Sequence, residues 1–170
     1  YLDCNNCELL TELRNFNELK KLNCTECNSL TKIENMNNLE ELDCVGCEKL
    51  TAIPQSHKMK KLTCCDCVGL IDIPLLDSLL ELWCDGCTNI TKVPELKKLQ
   101  KLCCNFCTNL KKISNIKTIQ SLSCENCNSL EYISDLPLLT DFNHRNCSEL
   151  RSTPIVKKLV PRIDKIYVDM

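Results

Sequence analysis

Pairs of cysteines recur along this chain at a constant interval of 20 residues. Within a pair the second cysteine follows three positions after the first, as in Cys24 and Cys27, and the next pair begins at Cys44. Eight such pairs fit into the 170 residues, with His144 replacing the first cysteine of the eighth, which ends at Cys147. A fixed period of this length indicates a solenoid, in which each copy forms one coil that packs only on its neighbours.

Each copy can be numbered from its first apolar residue, which is Leu39 in the third copy. Apolar residues then occupy positions 1, 4, 6, 9, 12 and 15, and usually position 18. Positions 4 and 6 have the period of a β-strand, whereas the later positions advance by three, which suits extended or 3₁₀ turns better than an α-helix. Proline recurs at position 16, at Pro54, Pro74, Pro94 and Pro154. Each copy is therefore predicted to contain one short strand and an irregular arc.

The third copy reads Leu39-Glu-Glu-Leu42-Asp-Cys44-Val-Gly-Cys47-Glu-Lys-Leu50. This resembles the leucine-rich repeat family, whose signature is L-x-x-L-x-L-x-x-N/C-x-L, at its shortest repeat lengths. Cysteine replaces the usual leucine at position 6 and the usual asparagine at position 9. The resemblance covers essentially the whole chain. It implies a right-handed solenoid with a curved parallel sheet of about nine short strands, an extended or 3₁₀ convex side and little or no α-helix.

The repeat array is predicted to occupy residues 1–158, with the first copy starting mid-strand at Leu2. The pattern then slips by four residues and resumes, so residues 159–170 are predicted to supply a closing strand over residues 166–168. Terminal coils of solenoids usually carry a polar cap, and an open strand edge invites pairing. We therefore expect a segment before Tyr1, or a partner, to cover the first coil. Self-association through the open edges is a further possibility.

The paired cysteines are predicted to be structural thiols in the core. Their C-x₂-C-x₁₆-C-x₂-C spacing also occurs in zinc sites, but tetrahedral zinc brings sulfurs to about 3.8 Å, whereas neighbouring strands lie about 4.7–4.9 Å apart. Strand spacing alone does not forbid disulfides, although each thiol has two equivalent neighbours. The predicted thiol ladder consists of Cys4, Cys7, Cys24, Cys27, Cys44, Cys47, Cys64, Cys67, Cys84, Cys87, Cys104, Cys107, Cys124, Cys127 and Cys147.

A free cysteine behaves as a small buried hydrophobe with a weak S–H donor. At position 9 its thiol can donate to a loop carbonyl, as asparagine does in the usual repeat. A column of free thiols persists best in a reducing compartment. An intracellular location, in the cytoplasm or inside a virion, is therefore predicted.

The concave face of the sheet is predicted to carry positions 2, 3, 5, 7 and 8. Position 3 alternates in charge through Lys21, Glu41 and Lys61, which predicts a cross-strand ladder of ion pairs. The only tryptophan, Trp83, stands at position 5. An aromatic and apolar patch on a charged surface is a candidate hot spot for a protein partner. The alternative is a single exposed aromatic side chain that covers its neighbours. The predicted patch consists of Val45, Cys65, Leu80, Trp83, Asp85, Cys103 and Phe106.

Cys65 and Cys103 lie outside the core pattern, so they are predicted to be the reactive cysteines. The chain shows no paired carboxylates, Ser/His/Asp set or Cys–His dyad, and we expect neither an enzyme nor a cofactor or metal. With no basic stripe and no apolar run of membrane-spanning length, we expect no nucleic-acid or membrane partner.

The family resemblance implies a scaffold for protein–protein interaction that presents its concave surface to a partner protein. Two other functions stay open. One is a structural subunit of a larger assembly, such as a viral particle, and the other is a thiol ladder that binds metal or takes part in redox chemistry.

Overall fold

The computed structural model describes residues 1–151 and 165–167. It is a parallel β-solenoid of stacked coils with almost no helix. In chain order the strands are β1 (Leu2–Asp3), β2 (Glu12–Arg14), β3 (Lys21–Asn23), β4 (Lys32–Glu34), β5 (Glu41–Asp43), β6 (Lys61–Thr63), β7 (Glu81–Trp83), β8 (Lys92–Val93), β9 (Lys101–Cys103), β10 (Lys112–Ile113), β11 (Ser121–Ser123), β12 (Tyr132–Ile133), β13 (Asp141–Asn143) and β14 (Lys165–Tyr167).

One strand from each coil joins a nine-stranded parallel sheet in the order β1-β3-β5-β6-β7-β9-β11-β13-β14. The register pairs each residue with the residue at the same position of the next coil, so that Leu22 lies opposite Leu42 and Leu42 opposite Leu62. The predicted curved parallel sheet of about nine strands is confirmed. The sheet forms because positions 4 and 6 both face the core and alternate with exposed residues.

The closing strand is also confirmed, one residue earlier than predicted, as β14 at Lys165–Tyr167. It pairs in parallel with β13, with Asp141 opposite Lys165. The remaining residues of the predicted segment 159–170, and residues 152–158 of the predicted array, lie outside the described part of the chain. Within the described part, the only helix is α1 (Ser148–Arg151), and no helix is long and apolar enough to cross a membrane.

Short strands also form on the convex side, and the repeat pattern did not predict them. β2 and β4 make one small sheet, and β8, β10 and β12 make another. Between β8 and β10 the amide of Ser114, at position 16, donates to the carbonyl of Val93, at position 15 of the preceding coil, at 3.1 Å. Because proline has no amide hydrogen, Pro54, Pro74 and Pro94 remove this bond at three successive steps. The convex sheet is therefore interrupted between β4 and β8.

The apolar positions of all coils form one continuous core of leucine, isoleucine and cysteine side chains. Two polar side chains, those of Ser56 and His144, occupy core positions. Ser56 at position 18 is buried, and its hydroxyl donates to the carbonyl of Leu39 at 2.7 Å. His144 at position 6 is buried, and its ring lies 4.7 Å from that of Phe142. The interior is thus occupied by packed side chains throughout the described coils.

A tight turn follows each strand of the main sheet in the first eight coils, and position 8 of these coils has a positive φ. In this left-handed region asparagine, aspartate and glycine are favoured. The amide of position 8 donates to the carbonyl of position 7 in the next coil, as Glu26 does to Val45 at 2.8 Å. The residues with positive φ at position 8 are Asn6, Glu26, Gly46, Asp66, Gly86, Phe106, Asn126 and Asn146.

The first coil does not bury its cysteines as the prediction for the thiol ladder required. Cys7 is exposed and Cys4 is only half-buried. Leu9 is 93% exposed and Phe16 is 43% exposed. The physical reason is that a coil buries its apolar side against both neighbours, and no coil packs on this side of the first one in the structure.

Candidate functional site

The cysteines from the second coil onward form a regular hydrogen-bonded column. The thiol at position 9 donates to the backbone carbonyl of position 6 in the preceding coil, over Sγ to oxygen distances of 2.8 to 3.1 Å. This is the loop-carbonyl bond that the sequence predicted for position 9. The seven donors are Cys27, Cys47, Cys67, Cys87, Cys107, Cys127 and Cys147.

The thiols at position 6 lie deeper in the core. The hydrogen bond with the position 9 thiol of the next coil, together with burial, raises the pKa of Cys44, Cys64 and Cys84 well above its usual range. These side chains therefore stay protonated at neutral pH, which is the form that packs as a hydrophobe. All 17 cysteines are free thiols. The residues described include no group of three or more histidine, cysteine or carboxylate side chains placed to hold a metal ion.

On the concave face, charged residues at positions 2 and 3 pair across neighbouring strands. Lys21 Nζ lies 2.8 Å from Glu41 Oε1, and Lys101 Nζ lies 3.8 Å from Glu81 Oε1. These contacts agree with the predicted ladder of alternating charge. The lysine side chains are more than half exposed, so each pair stabilises the fold by about 1 kcal/mol at most.

Polar side chains at positions 5 and 7 bond to one another toward both ends of the concave face. Near the first coils, Thr25 Oγ1 donates to Asp43 Oδ1 at 3.0 Å. Near the last coils, Ser123 Oγ donates to Asn105 Oδ1 at 2.7 Å, and Asn143 Nδ2 donates to Glu125 Oε2 at 3.1 Å. In both regions the polar side chains of neighbouring coils are therefore linked to one another.

The predicted patch lies between these two polar regions and interrupts them. The register places Thr63, Trp83 and Cys103 side by side at position 5. Val45, Cys65 and Asp85 follow one another at position 7 of coils three to five, and all three are half-buried. Leu80 also lies half-buried, but at position 2, before the start of β7. The structure therefore brings six of the seven predicted residues to one end of the strands and places Leu80 at the other.

Trp83 has an unusual environment. Its indole Nε1 is buried and has no hydrogen-bond partner among the residues that the structure describes. The ring lines an open groove of about 450 Å³ that runs toward the last coils. The sequence did not predict this groove, because its shape depends on how the side chains of several coils are arranged. The groove is lined by Trp83, Lys101, Gln120, Ser121, Thr140, Asp141 and Lys165.

Phe106 has the least favourable backbone for its side chain in this region. Its φ is +59°, a conformation in which a bulky side chain is a genuine outlier, and its side chain is 54% exposed. Burial of the Phe106 ring therefore contributes little stability, while the backbone of Phe106 is strained. Such strain at an exposed position is a recognised mark of a functional residue. The signal was visible in the sequence, since most other coils have asparagine, aspartate or glycine at position 8.

Asp85, a member of the patch, is half-buried. Its Oδ1 accepts a hydrogen bond from the backbone amide of Asn105 at 2.6 Å. Burial raises the pKa of the Asp85 carboxyl, and the nearby Asp66 carboxylate raises it further. No ion pair in residues 1–151 and 165–167 includes Asp85. The patch therefore contains a carboxylate without a counter-cation.

The environment of Cys65 and Cys103 disfavours the reactivity that the sequence predicted for these two thiols. Both are half-buried, and burial raises the pKa of each to about 12. A pKa this high leaves only a small fraction of each thiol ionised at neutral pH. Nucleophilic reactions need the ionised form, because the thiolate is the nucleophile. Cys7 is the exposed cysteine instead, because no coil covers it.

Comparison with models of known families, with curated proteins and with solved structures gives no match. The assignment of function therefore depends on the geometry of the concave face.

Proposed function

We propose that this protein is a non-enzymatic scaffold of the leucine-rich repeat type that binds a protein partner on its concave face. The observation that carries this proposal is the apolar patch around Trp83 and Phe106, which interrupts an otherwise self-satisfied polar surface. Protein interfaces are enriched in aromatic residues of this kind, set within a polar rim. A solenoid commonly serves as such a scaffold, because stacked coils hold a large surface in fixed shape.

The assignment to the leucine-rich repeat type is supported by position 9. There the thiol of Cys87, for example, donates to the carbonyl of Cys64 at 3.0 Å, in place of the asparagine of the usual repeat. The free thiols of the core support an intracellular, reducing location. The raised pKa of the half-buried thiols on the concave face supports a binding role rather than nucleophilic catalysis.

Selection of ligands from a phage-displayed library of random linear 12-residue peptides tests the proposal. Selected peptides are expected to bind the native protein and to lose about tenfold or more in affinity with Trp83→Ala or Phe106→Ala. Tyr132→Ala is the matched control, because Tyr132 is an aromatic residue on the convex side and is 50% exposed. Circular dichroism of each variant reports whether the fold is retained. Peptides that bind every variant equally, or a library that yields no ligand, would refute the proposal.

A second candidate function is self-assembly through the first coil. It is favoured by the exposed side chains of Cys7, Leu9 and Phe16 beside the edge strand β1. Sedimentation velocity distinguishes the two functions. Assembly through this edge predicts oligomers that Leu9→Lys dissociates and that Trp83→Ala leaves intact, whereas the scaffold predicts the same sedimentation coefficient for all three proteins.

A further inference from the structure

The alternation of charge along position 3 of the concave face stops in the seventh coil. From Lys21 to Lys101 the register sets each lysine beside a glutamate of a neighbouring strand. Ser121 then occupies the place of the next glutamate, opposite Lys101 on one side and Asp141 on the other. Lys101 therefore has a carboxylate on one neighbouring strand only, that of Glu81, at the long distance of 3.8 Å.

The groove that the Trp83 ring lines includes this interruption of the charge ladder. Its volume of about 450 Å³ lies within the range of ligand-binding pockets. Two of the described residues that line it are cations, Lys101 and Lys165, and one is an anion, Asp141. The hydroxyl of Ser121 donates to Asp141 Oδ2 at 3.4 Å, whereas Lys165 forms no ion pair within the described residues. The groove thus has a lysine that lacks a counter-anion.

The chain that forms one side of the groove is basic. Residues 96–124 contain six lysines and no carboxylate side chain. Three of these lysines, Lys97, Lys98 and Lys117, are exposed in the turns that precede β9 and β11. None of the three forms an ion pair with a residue of the described chain. The end of the groove at which these strands begin therefore has an excess of positive charge, which favours an anionic ligand.

An acidic protein segment fits this pattern of charge better than a nucleic acid does. A nucleic acid has a phosphate at every nucleotide, and the carboxylates of Asp141 and Glu81 repel such a closely spaced row of anions. A polypeptide can instead place carboxylates at the lysines and a neutral hydrogen-bond donor at Asp141. The Trp83 ring at the end of the groove offers an apolar contact of the kind that protein interfaces use.

We propose that the groove binds an acidic, extended segment of the partner protein, with an apolar side chain against Trp83 and carboxylates at Lys101 and Lys165. This inference rests on the proposed scaffold function and names the chemistry of its partner. It assigns the acidic contact to the side of the concave face where the strands begin.

The spacing of the strands sets the spacing of residues in the bound segment. Lys101 and Lys165 are three strands apart, which is roughly 14 Å at the separation of parallel strands. An extended chain covers this distance in about four residues, and residues four apart point to the same side. Trp83 lies one strand before Lys101, so the apolar side chain belongs two residues before the first carboxylate.

Peptides of defined sequence test the inference on the intact chain. The probe is a capped heptapeptide with leucine as its first residue, glutamate as its third and seventh, and serine elsewhere. One counterpart has glutamine instead of both glutamates, and another has the same composition with glutamate as its third and fourth residues. Calorimetric titration measures the affinity, and the emission of Trp83, the only tryptophan, reports contact with the groove. The probe is expected to bind saturably, about tenfold more tightly than the glutamine peptide and a few-fold more tightly than the rearranged peptide.

Lys101→Gln provides the decisive variant, with Lys111→Gln as its matched control. Lys111 is exposed in the same coil and precedes the convex strand β10, so both substitutions change the net charge equally. Lys101→Gln is expected to weaken the probe by about threefold or more, whereas Lys111→Gln leaves its affinity unchanged. Urea unfolding of both variants verifies that they are folded.

The outcomes separate this inference from the scaffold proposal. If the library ligands bind the concave face but have no carboxylates, and Lys101→Gln leaves them unaffected, the acidic partner is refuted and the scaffold stands. Equal weakening by both lysine variants, or equal affinity for the probe and the rearranged peptide, indicates general attraction of charge and also refutes the inference. Tighter binding of an oligothymidylate of the same length would assign the groove to nucleic acid instead. If no heptapeptide binds, the inference is wrong, and the library selection alone decides the scaffold.

Discussion

Substitutions of Cys87 separate two roles that a buried thiol can have, as packing volume and as hydrogen-bond donor. The side chain of Cys87 is completely buried, and its Sγ donates to the carbonyl of Cys64 at 3.0 Å. That carbonyl also accepts the amide of Cys67, at the longer distance of 3.4 Å. Alanine removes both the volume and the donor, whereas serine removes most of the volume and keeps a donor.

The expected magnitudes follow from these two contributions. Loss of the buried sulfur costs about 1 kcal/mol in either variant, similar to loss of one buried methylene. Alanine also leaves the Cys64 carbonyl short of a donor, which costs about 1 kcal/mol more. The free energy of unfolding should therefore fall by about 2 kcal/mol for Cys87→Ala and by about 1 kcal/mol for Cys87→Ser.

Cys84 provides the matched control, since it is equally buried in the same coil. Its thiol has the Cys107 thiol as hydrogen-bonded neighbour, and sulfur is a weak partner for a hydroxyl. Serine at position 84 therefore buries a hydroxyl that is poorly satisfied, at a cost of about 1 kcal/mol beyond the lost volume. Alanine should cost about 1 kcal/mol and serine about 2 kcal/mol, so the order of the two substitutions reverses between Cys84 and Cys87.

Urea unfolding under reducing conditions, followed by circular dichroism and by the emission of Trp83, measures the four differences. In a thermal scan each 1 kcal/mol corresponds to a shift of about 2–4 °C for a chain of this length. If serine is the more destabilising residue at both positions, the position 9 thiol acts only as packing volume. The hydrogen bonds of the position 9 thiols would then not contribute to stability.

Three further predictions concern the concave face and the exposed thiol. Phe106→Asn should raise the free energy of unfolding by about 1 kcal/mol in thermal scans, because asparagine tolerates a φ of +59°; a loss of stability would contradict the assigned strain. Burial raises the pKa of Asp85, so its ionised form destabilises the fold above that pKa. Asp85→Asn should therefore raise the free energy of unfolding at pH 7. This increase should vanish as the pH falls through the raised pKa of Asp85 toward the pKa of about 4 that an aspartate has in the unfolded chain. An increase that does not depend on pH would refute the destabilising effect of the ionised carboxyl. Iodoacetamide at pH 8 should modify the exposed Cys7 first, as mapped by peptide mass spectrometry. Cys65 and Cys103 should react at least about 100-fold more slowly, because burial raises the pKa of each to about 12. Equal rates would show that the two half-buried thiols ionise readily.

The main sheet and the core could be predicted from the sequence because they depend on periodicity alone. Every coil repeats the same apolar positions, so a single register aligns Leu22, Leu42 and Leu62 and all their equivalents. A shift by one residue would turn the whole apolar set to the solvent, which fixes the register strongly. The closing strand was found for the same reason, although its position differs by one residue.

The convex sheet could not be predicted, because it depends on one hydrogen bond rather than on apolar character. Position 15 is apolar in the first seven coils, with or without a convex strand, as Ile53 and Ile113 show. What differs is the amide of the following residue, present in Ser114 and absent in Pro54. The recurrence of proline at position 16 is evident in the sequence, whereas its effect on pairing depends on the register.

The structure brings six of the seven residues of the predicted patch to one end of the strands and places Leu80 at the other. Trp83 was predicted to belong to the patch as the only tryptophan of the chain, and the structure pairs it with Cys103 on the next strand and places Asp85 beside Cys65 and Cys103. The unpaired indole Nε1 and the strained backbone of Phe106 depend on coordinates and on the turn geometry of position 8.

Regular repetition itself explains why the patch stands out. Each coil receives nearly the same core, so stability is distributed evenly and no coil requires an exposed aromatic residue to fold. At position 8 the turn favours asparagine or glycine, and Phe106 departs from that preference at a cost to its own backbone. Toward the ends of the sheet, the residues at position 5 are polar and form side-chain hydrogen bonds with neighbouring coils, whereas the Trp83 Nε1 has no hydrogen-bond partner among the described residues. Both departures occur in adjacent coils and on the same face, and the binding role that we propose accounts for both.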